Sequence, residues 1–118
     1  MKQCIVVEDD PFWSAEICRM LGGEAVEVFC ASTGLQALEL AADHPEASII
    51  LDIILPDIDG LKVLERLQPR DCPVLAITSG GRMGPDFYLR LAGQFGARGG
   101  LAKPFTDRQL LESWRSIH

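Results

Sequence analysis

The stretch Ala47-Ser-Ile-Ile-Leu-Asp52-Ile-Ile-Leu-Pro-Asp-Ile-Asp-Gly60 decides how the rest of the chain is read. Ile49 to Leu51 is branched and apolar throughout, the character of a short strand buried on both faces of a parallel sheet. Asp52 interrupts that run, and Ile53, Ile54 and Leu55 resume it at once. A carboxylate in such surroundings costs free energy unless a partner offsets it. At the carboxyl end of a strand in an open α/β sheet, it faces the crevice where such sheets bind ligands. Pro56 and the Asp57–Gly60 cluster then end the run with turn chemistry. Two readings are open from this stretch alone: Asp52 caps the following loop, or it does chemistry at a strand end. For an isolated aspartate the cap is the commoner role.

Working outward, strands and helices alternate. Cys4–Val7 reads as a buried strand with Glu8-Asp9-Asp10 at its carboxyl end. Pro11 suits the first position of a helix with Asp10 as its N-cap. Trp13, Ile17, Met20 and Leu21 then recur at helical spacing until Gly22-Gly23. Three acids in a row carry more negative charge than a helix cap needs. Ala25–Cys30 is a second strand, and Thr33 with Gln36 fits a capping box for a helix through Ala42. His44 falls in the closing turn, as a solvated loop residue. After Asp52, Gly60, Val63, Leu64 and Leu67 mark a third helix, stopped by Pro69.

Pro73–Ile77 is the fourth strand, with Thr78-Ser79 at its end, and Gly80–Pro85 is a loop rich in breakers. Asp86–Phe95 reads as a fourth helix of poor periodicity. Arg98–Ala102 is a short fifth strand, followed by Lys103-Pro104-Phe105. Thr106 and Gln109 form a second capping box, and Leu110, Leu111, Trp114 and Ile117 repeat at helical spacing to the chain end. Five strand–helix units call for an α/β fold: a doubly wound parallel sheet, helices on both faces and right-handed crossovers.

At 118 residues the chain has room for one domain, 1–118, and no output domain beside it. Apolar residues make up 47%, which places it among globular chains. Eleven basic against seventeen acidic residues, a net charge of −6, argue against direct nucleic-acid binding, which needs a clustered basic patch. The first apolar run is too short for a signal peptide before Glu8 intervenes, and no stretch approaches the ~18–20 apolar residues of a membrane span. Cys4, Cys18, Cys30 and Cys72 show no C-x-x-C and no histidine at metal spacing. They read as buried free thiols of a cytoplasmic protein, against a redox or zinc role.

Four of the five strands end in groups able to do chemistry: Glu8 and Asp9, Asp52, Thr78, and Lys103. In a parallel sheet all carboxyl ends point one way, so these groups converge on one edge. Carboxylates brought together repel, and a divalent cation with oxygen ligands relieves that; Mg²⁺ fits a site shared with phosphate oxygens. Asp52 is then placed as a carboxylate nucleophile towards phosphorus. Thr78 offers a hydroxyl and Lys103 a positive charge to the phosphoryl oxygens. Each part alone is weak, since a lone strand-end Thr is usually a local hydrogen-bonder and a lone Lys a solvated charge. Their joint occurrence is what carries weight.

With those residues assembled, the chain resembles a receiver domain of the two-component response-regulator family. The resemblance rests on Val6-Val-Glu-Asp-Asp-Pro11, Leu51-Asp-Ile-Ile-Leu-Pro-Asp-Ile-Asp-Gly60, the Thr78 strand end, and Gly96-Ala97 with Leu101-Ala-Lys-Pro-Phe105. It implies a flavodoxin-like sheet of order 2-1-3-4-5 and Asp52 as phosphoacceptor. It makes Glu8, Asp9, Asp52 and the Ile54 backbone carbonyl the Mg²⁺ ligands, with Glu8 where many members have Asp. It also implies a cis Lys103–Pro104 bond, and as partners a sensor histidine kinase or histidine phosphotransfer protein and a downstream protein target. The activity implied is that of a signalling domain, not an enzyme. Phe12 and Trp13, large and apolar beside the site, are either core or a docking anchor for that partner.

Two departures from the family pattern stand out. Gly100 occupies the position, three before the lysine, that usually carries Tyr or Phe. The Thr78–Gly96 stretch is about one helical turn longer than usual and rich in glycine. Two other readings use similar parts. A haloacid-dehalogenase-type hydrolase needs an acid two residues after its nucleophile, where this chain has Ile54. A pure interaction module would keep the fold without the phosphorylation. A flavin site is unsupported, because the loop after the first strand is acidic.

Overall fold

The computed structural model describes residues 1–118. Its elements follow in strict alternation: β1 (Lys2–Val7), α1 (Pro11–Leu21), β2 (Val26–Ala31), α2 (Gly34–Asp43), β3 (Ser48–Asp52), α3 (Gly60–Leu67), β4 (Val74–Thr78), α4 (Pro85–Gln94), β5 (Gly99–Ala102) and α5 (Asp107–Ser116). The five strands are all parallel, in the order β2-β1-β3-β4-β5. This is the doubly wound architecture that the alternation calls for.

Strand periodicity divides the core into two layers, because successive side chains leave a strand on opposite faces. Ile5, Val7, Ile49, Leu51, Val74 and Ala76 point to the face covered by α2, α3 and α4, where Ala37, Val63, Leu64 and Ala92 meet them. Cys4, Val6, Ile50, Leu75 and Ile77 point to the other face, against Ile17 and Leu21 of α1 and Leu110 and Trp114 of α5. β3 and β4 are buried at every position. Such strands need apolar residues on both sides, which is why they read as continuous runs instead of alternating ones.

Several boundaries differ from the sequence-based expectation, for local reasons. β4 starts at Val74, not Pro73, since proline has no N–H to give the ladder; its carbonyl still accepts from Ile49 N–H at 3.0 Å. Thr78 is thereby the last residue of the strand. β2 runs one residue later than expected, through Ala31. α4 opens on Pro85, after Gly84 at φ 83°, and has no side-chain cap.

The expected capping box at Thr33 is half present. Thr33 accepts from Gln36 N–H at 3.1 Å, but the Gln36 side chain bonds Ser32 instead of Thr33. Thr106 and Gln109 make the full reciprocal box. His44 is not the solvated loop residue expected: half-buried, it stacks on Phe29 with ring centroids 3.9 Å apart. The Lys103–Pro104 bond is cis, as the resemblance implied, and so is Gln68–Pro69.

Gly60 shows how tightly the β3–α3 turn is drawn. A Cβ there would lie 2.5 Å from both Cα and the carbonyl oxygen of Ile53, so only glycine allows the approach. The reward is a Gly60 N–H to Ile53 carbonyl bond of 2.8 Å, which pins the segment behind Asp52.

Candidate functional site

The site lies at the carboxyl ends of β1, β3, β4 and β5. β1 delivers three acids, and the structure gives each a different task. Glu8 extends the ladder, its N–H donating to the Ala31 carbonyl at 3.0 Å, and turns its side chain inward, where it is only 2% exposed. Asp9 stands exposed at the rim. Asp10 is the N-cap of α1, accepting from Phe12 N–H at 2.9 Å. One cap and two site acids account for a triplet too charged to be a cap alone.

Asp52 ends β3 and is 5% exposed. Its Oδ1 accepts from Ile54 N–H at 3.0 Å, and its Oδ2 accepts from Lys103 Nζ, also at 3.0 Å. Lys103 follows β5 directly, and its backbone N–H donates to the Thr78 carbonyl at 2.8 Å. Its ammonium reaches Glu8 Oε2 at 2.5 Å as well as Asp52, and lies 5.5 Å from the centre of the Trp13 ring. Trp13 in turn packs on Phe105, with ring centroids 4.8 Å apart. Trp13 is thus a wall of the site. Phe12, 64% exposed, is the aromatic left facing outward.

Thr78 is fully buried, and its hydroxyl accepts from Gly80 N–H at 3.0 Å without touching Asp52 or Lys103. At present it is the local hydrogen-bonder that a strand-end threonine usually is. The other expected residues do come together: carboxylate oxygens of Glu8, Asp9 and Asp52 lie within 4.8 Å of one another. The Ile54 carbonyl accepts no hydrogen bond within the chain, while its side chain is largely exposed.

The electrostatics follow from one lysine facing three carboxylates. Burial pushes the Glu8 carboxyl up to about 7; its hydrogen bond from Lys103 pulls the other way and the nearby Asp52 charge adds to the rise. Burial alone would lower Lys103, but its bonds to Glu8 and Asp52 hold the ammonium above its ordinary value. Lys103 therefore stays protonated, and the site retains an excess of negative charge. Hard oxygen donors in that state suit a hard divalent cation, so the residues present fit Mg²⁺.

Two features had no signal in the sequence. Asp57 sends its carboxylate across to the start of α2, accepting from Gly34 N–H at 2.8 Å and Leu35 N–H at 3.0 Å. The cysteines also depart from expectation. Cys4 is buried, but Cys30 is exposed, Cys18 and Cys72 are half-buried, and Cys18 Sγ lies 3.4 Å from Cys30 Sγ. Fixed side-by-side packing of α1 and β2 makes that contact across twelve positions of sequence.

A buried aspartate held by a strand-end lysine thus lies beside two further acids at the carboxyl edge of a 2-1-3-4-5 sheet, the sheet order of the flavodoxin-like receiver domains. The sequence profile of the response regulator receiver domain matches residues 4–115, and the chain belongs to that family. It is 32% identical over 116 residues to the response regulator MprA of Mycobacterium sp. (strain KMS), covering 96% of this chain and 49% of that protein. MprA of Mycobacterium ulcerans is 34% identical over 117 residues, covering 96% and 48%. The chain thus spans about half the length of the curated relatives it matches.

Among solved structures, the BeF3-activated N-terminal receiver domain of Klebsiella pneumoniae RstA superposes with a TM-score of 0.87 at 27% identity, covering 98% of this chain and 97% of that one. The receiver domain of the sensor histidine kinase PA1611 from Pseudomonas aeruginosa, with magnesium coordinated in its active-site cleft, gives 0.85 at 25%, covering 98% and 96%. No helix of this chain is long and apolar enough to cross a membrane.

Proposed function

We propose that residues 1–118 act as one receiver domain whose Asp52 takes a phosphoryl group from a phosphohistidine on a sensor histidine kinase or histidine phosphotransfer protein. An Asp52 carboxylate oxygen forms the new bond to phosphorus as the P–N bond breaks, and the imidazole nitrogen leaves with its electron pair. The observation that carries this is the Lys103 ammonium, buried and 3.0 Å from Asp52 Oδ2. It orients the Asp52 carboxylate and is placed to follow the charge as it moves onto phosphoryl oxygens. Glu8, Asp9, Asp52 and the Ile54 carbonyl would hold Mg²⁺, which when bound offsets the negative charge of acids and phosphoryl group together. The position two after Asp52 carries the apolar side chain of Ile54, so no side chain there serves a hydrolase as general acid.

Docking would use the exposed Phe12 beside the α1 N-terminus, since aromatic anchors dominate such contacts. The output is signalling through a downstream protein, without turnover of a separate substrate. For the response, Thr78 would exchange its Gly80 N–H for a phosphoryl oxygen and draw the β4–α4 loop with it. Tyr88 stands in that path: a Cβ on Gly81 would lie 2.9 Å from its ring. Tyr88 is thus the aromatic side chain that α4 brings against this loop, in a chain whose position 100 carries none.

The decisive experiment is intact-mass spectrometry after incubation with acetyl phosphate. The chain gains one phosphoryl group only when Mg²⁺ is present, and Asp52→Asn gains none. A gain that persists in Asp52→Asn, or that chelation leaves unchanged, refutes the assignment. A folded chain that never gains the group is an interaction module instead.

A further inference from the structure

We propose that Cys18 and Cys30 form a dithiol–disulfide couple, a covalent modification site on the outer flank of the sheet that is independent of the phosphorylation reading. The observation is geometric. Cys18, in α1, and Cys30, on the edge strand β2, bring their Sγ atoms to 3.4 Å. A disulfide needs about 2.05 Å, so roughly 1.4 Å of closure is required, within reach of side-chain rotation and the give of an edge strand. Neither cysteine is used by the strand-end site. They also differ from the remaining two: Cys4 is sealed in the core, and Cys72 bonds only the Pro45 carbonyl, at 3.4 Å.

The two sulfurs are not equivalent. Cys30 is exposed, whereas Cys18, on α1, is half-buried. Burial, together with the adjoining Cys30 sulfur, pushes the Cys18 thiol up to about 12, while Cys30 stands open to solvent. Cys30 is therefore the entry point for a low-molecular-weight disulfide, RSSR. Its thiolate attacks one sulfur, the RS–SR bond breaks, and the departing RS⁻ takes up a proton. Cys18 then gives up its proton and attacks Cys30 Sγ, breaking the mixed disulfide and releasing the second RS⁻, which is protonated to RSH. Two protein thiols lose two electrons, and RSSR becomes two RSH.

The bond would fasten α1, whose N-terminus carries the Asp10 cap and the exposed Phe12, to the strand whose Ala31 carbonyl holds Glu8 N–H. It would also close the loop containing Gly22-Gly23, removing freedom from the unfolded chain.

The test equilibrates the folded, reduced chain with oxidised glutathione, quenches with acid and alkylating agent, and maps peptides without reduction. The expected result is a Cys18–Cys30 crosslink, a chain lighter by two hydrogens, and a Tm higher by about 10 °C. In Cys18→Ser the same treatment should leave glutathione on Cys30. The proposal is overturned if the native chain keeps a stable glutathione adduct on Cys30 with Cys18 free. It is equally overturned if the crosslink forms only in urea. Both of those outcomes are read on the unmutated chain, so a variant that folds poorly does not blunt the test.

Discussion

The two ends of the sheet's carboxyl edge are built to different standards. Around β1 and β3 everything is tight: Glu8, Asp52 and Lys103 are nearly sealed from solvent and bonded to one another, and Gly60 is pressed onto the Ile53 backbone. Beyond β4, around α4 and β5, the packing thins. α4 buries only Ala92, no residue of β5 is fully buried, and the intervening loop turns through glycines at φ 101° and 83°. Chemistry at phosphorus needs groups held in place, and a response needs a segment with little stability to lose. One sheet supplies both because only its middle strands are covered on both faces. Thr78 joins the regions, since it is buried with β4 while its hydroxyl holds Gly80.

The comparison breaks most readily at the lysine. Lys103→Ala removes the only cation near the acids, and we expect phosphorylation by acetyl phosphate to slow by about 10²-fold or more. A rate within threefold of the parent would mean that the rigid end is not the reacting end.

A pair of glycine substitutions measures rigidity at each end directly. Gly60→Ala drives a methyl into backbone that cannot retreat, and should cost about 2–3 kcal/mol in urea unfolding. Gly100→Ala meets no backbone, only the Leu89 side chain, with Cδ2 at 3.1 Å and Cβ at 3.3 Å, so a few tenths of an ångström of give in the thinly packed α4 accommodates it. Its cost should stay below about 1 kcal/mol. Equal costs would mean that the two ends are equally rigid.

Tyr88→Ala sharpens the soft end. With the ring gone from above Gly81, amide exchange across residues 80–84 should accelerate on the order of tenfold, while protection in β3 is unchanged. Acceleration in both places would show one cooperative unit instead of two.

The smallest effect is a pH dependence. The hydrogen bond from Gly34 N–H, with help from Leu35, holds Asp57 below the usual carboxylate range, although its partial desolvation works the other way. The folded chain therefore takes up this proton less readily than the unfolded chain. The stabilisation is complete above the unfolded value of about 3.9 and is lost as the pH falls through the lower folded value. Asp57→Asn should flatten that part of the stability–pH curve and leave neutral-pH phosphorylation unchanged.

Much of this was legible from residues in order. Ile49–Leu51 and Val74–Ile77 announce strands buried on both faces, because a parallel sheet under two helix layers leaves no polar side. Asp52, Glu8 and Lys103 could be placed on one edge because parallel strands share their direction. What pairs with what could not be read, since hydrogen bonding depends on distances between segments remote in the chain. The sequence by itself determined the alternation, the shared edge and the kinds of group gathered there, through local propensity and strand polarity. Only the tertiary structure decided that Glu8 turns inward while Asp9 stays at the rim, that Trp13 walls the site and Phe12 is left outside, and that Cys18 meets Cys30. Those outcomes follow from how helices settle on the sheet, and the rotation of a helix about its axis is fixed by packing, not by any residue within it.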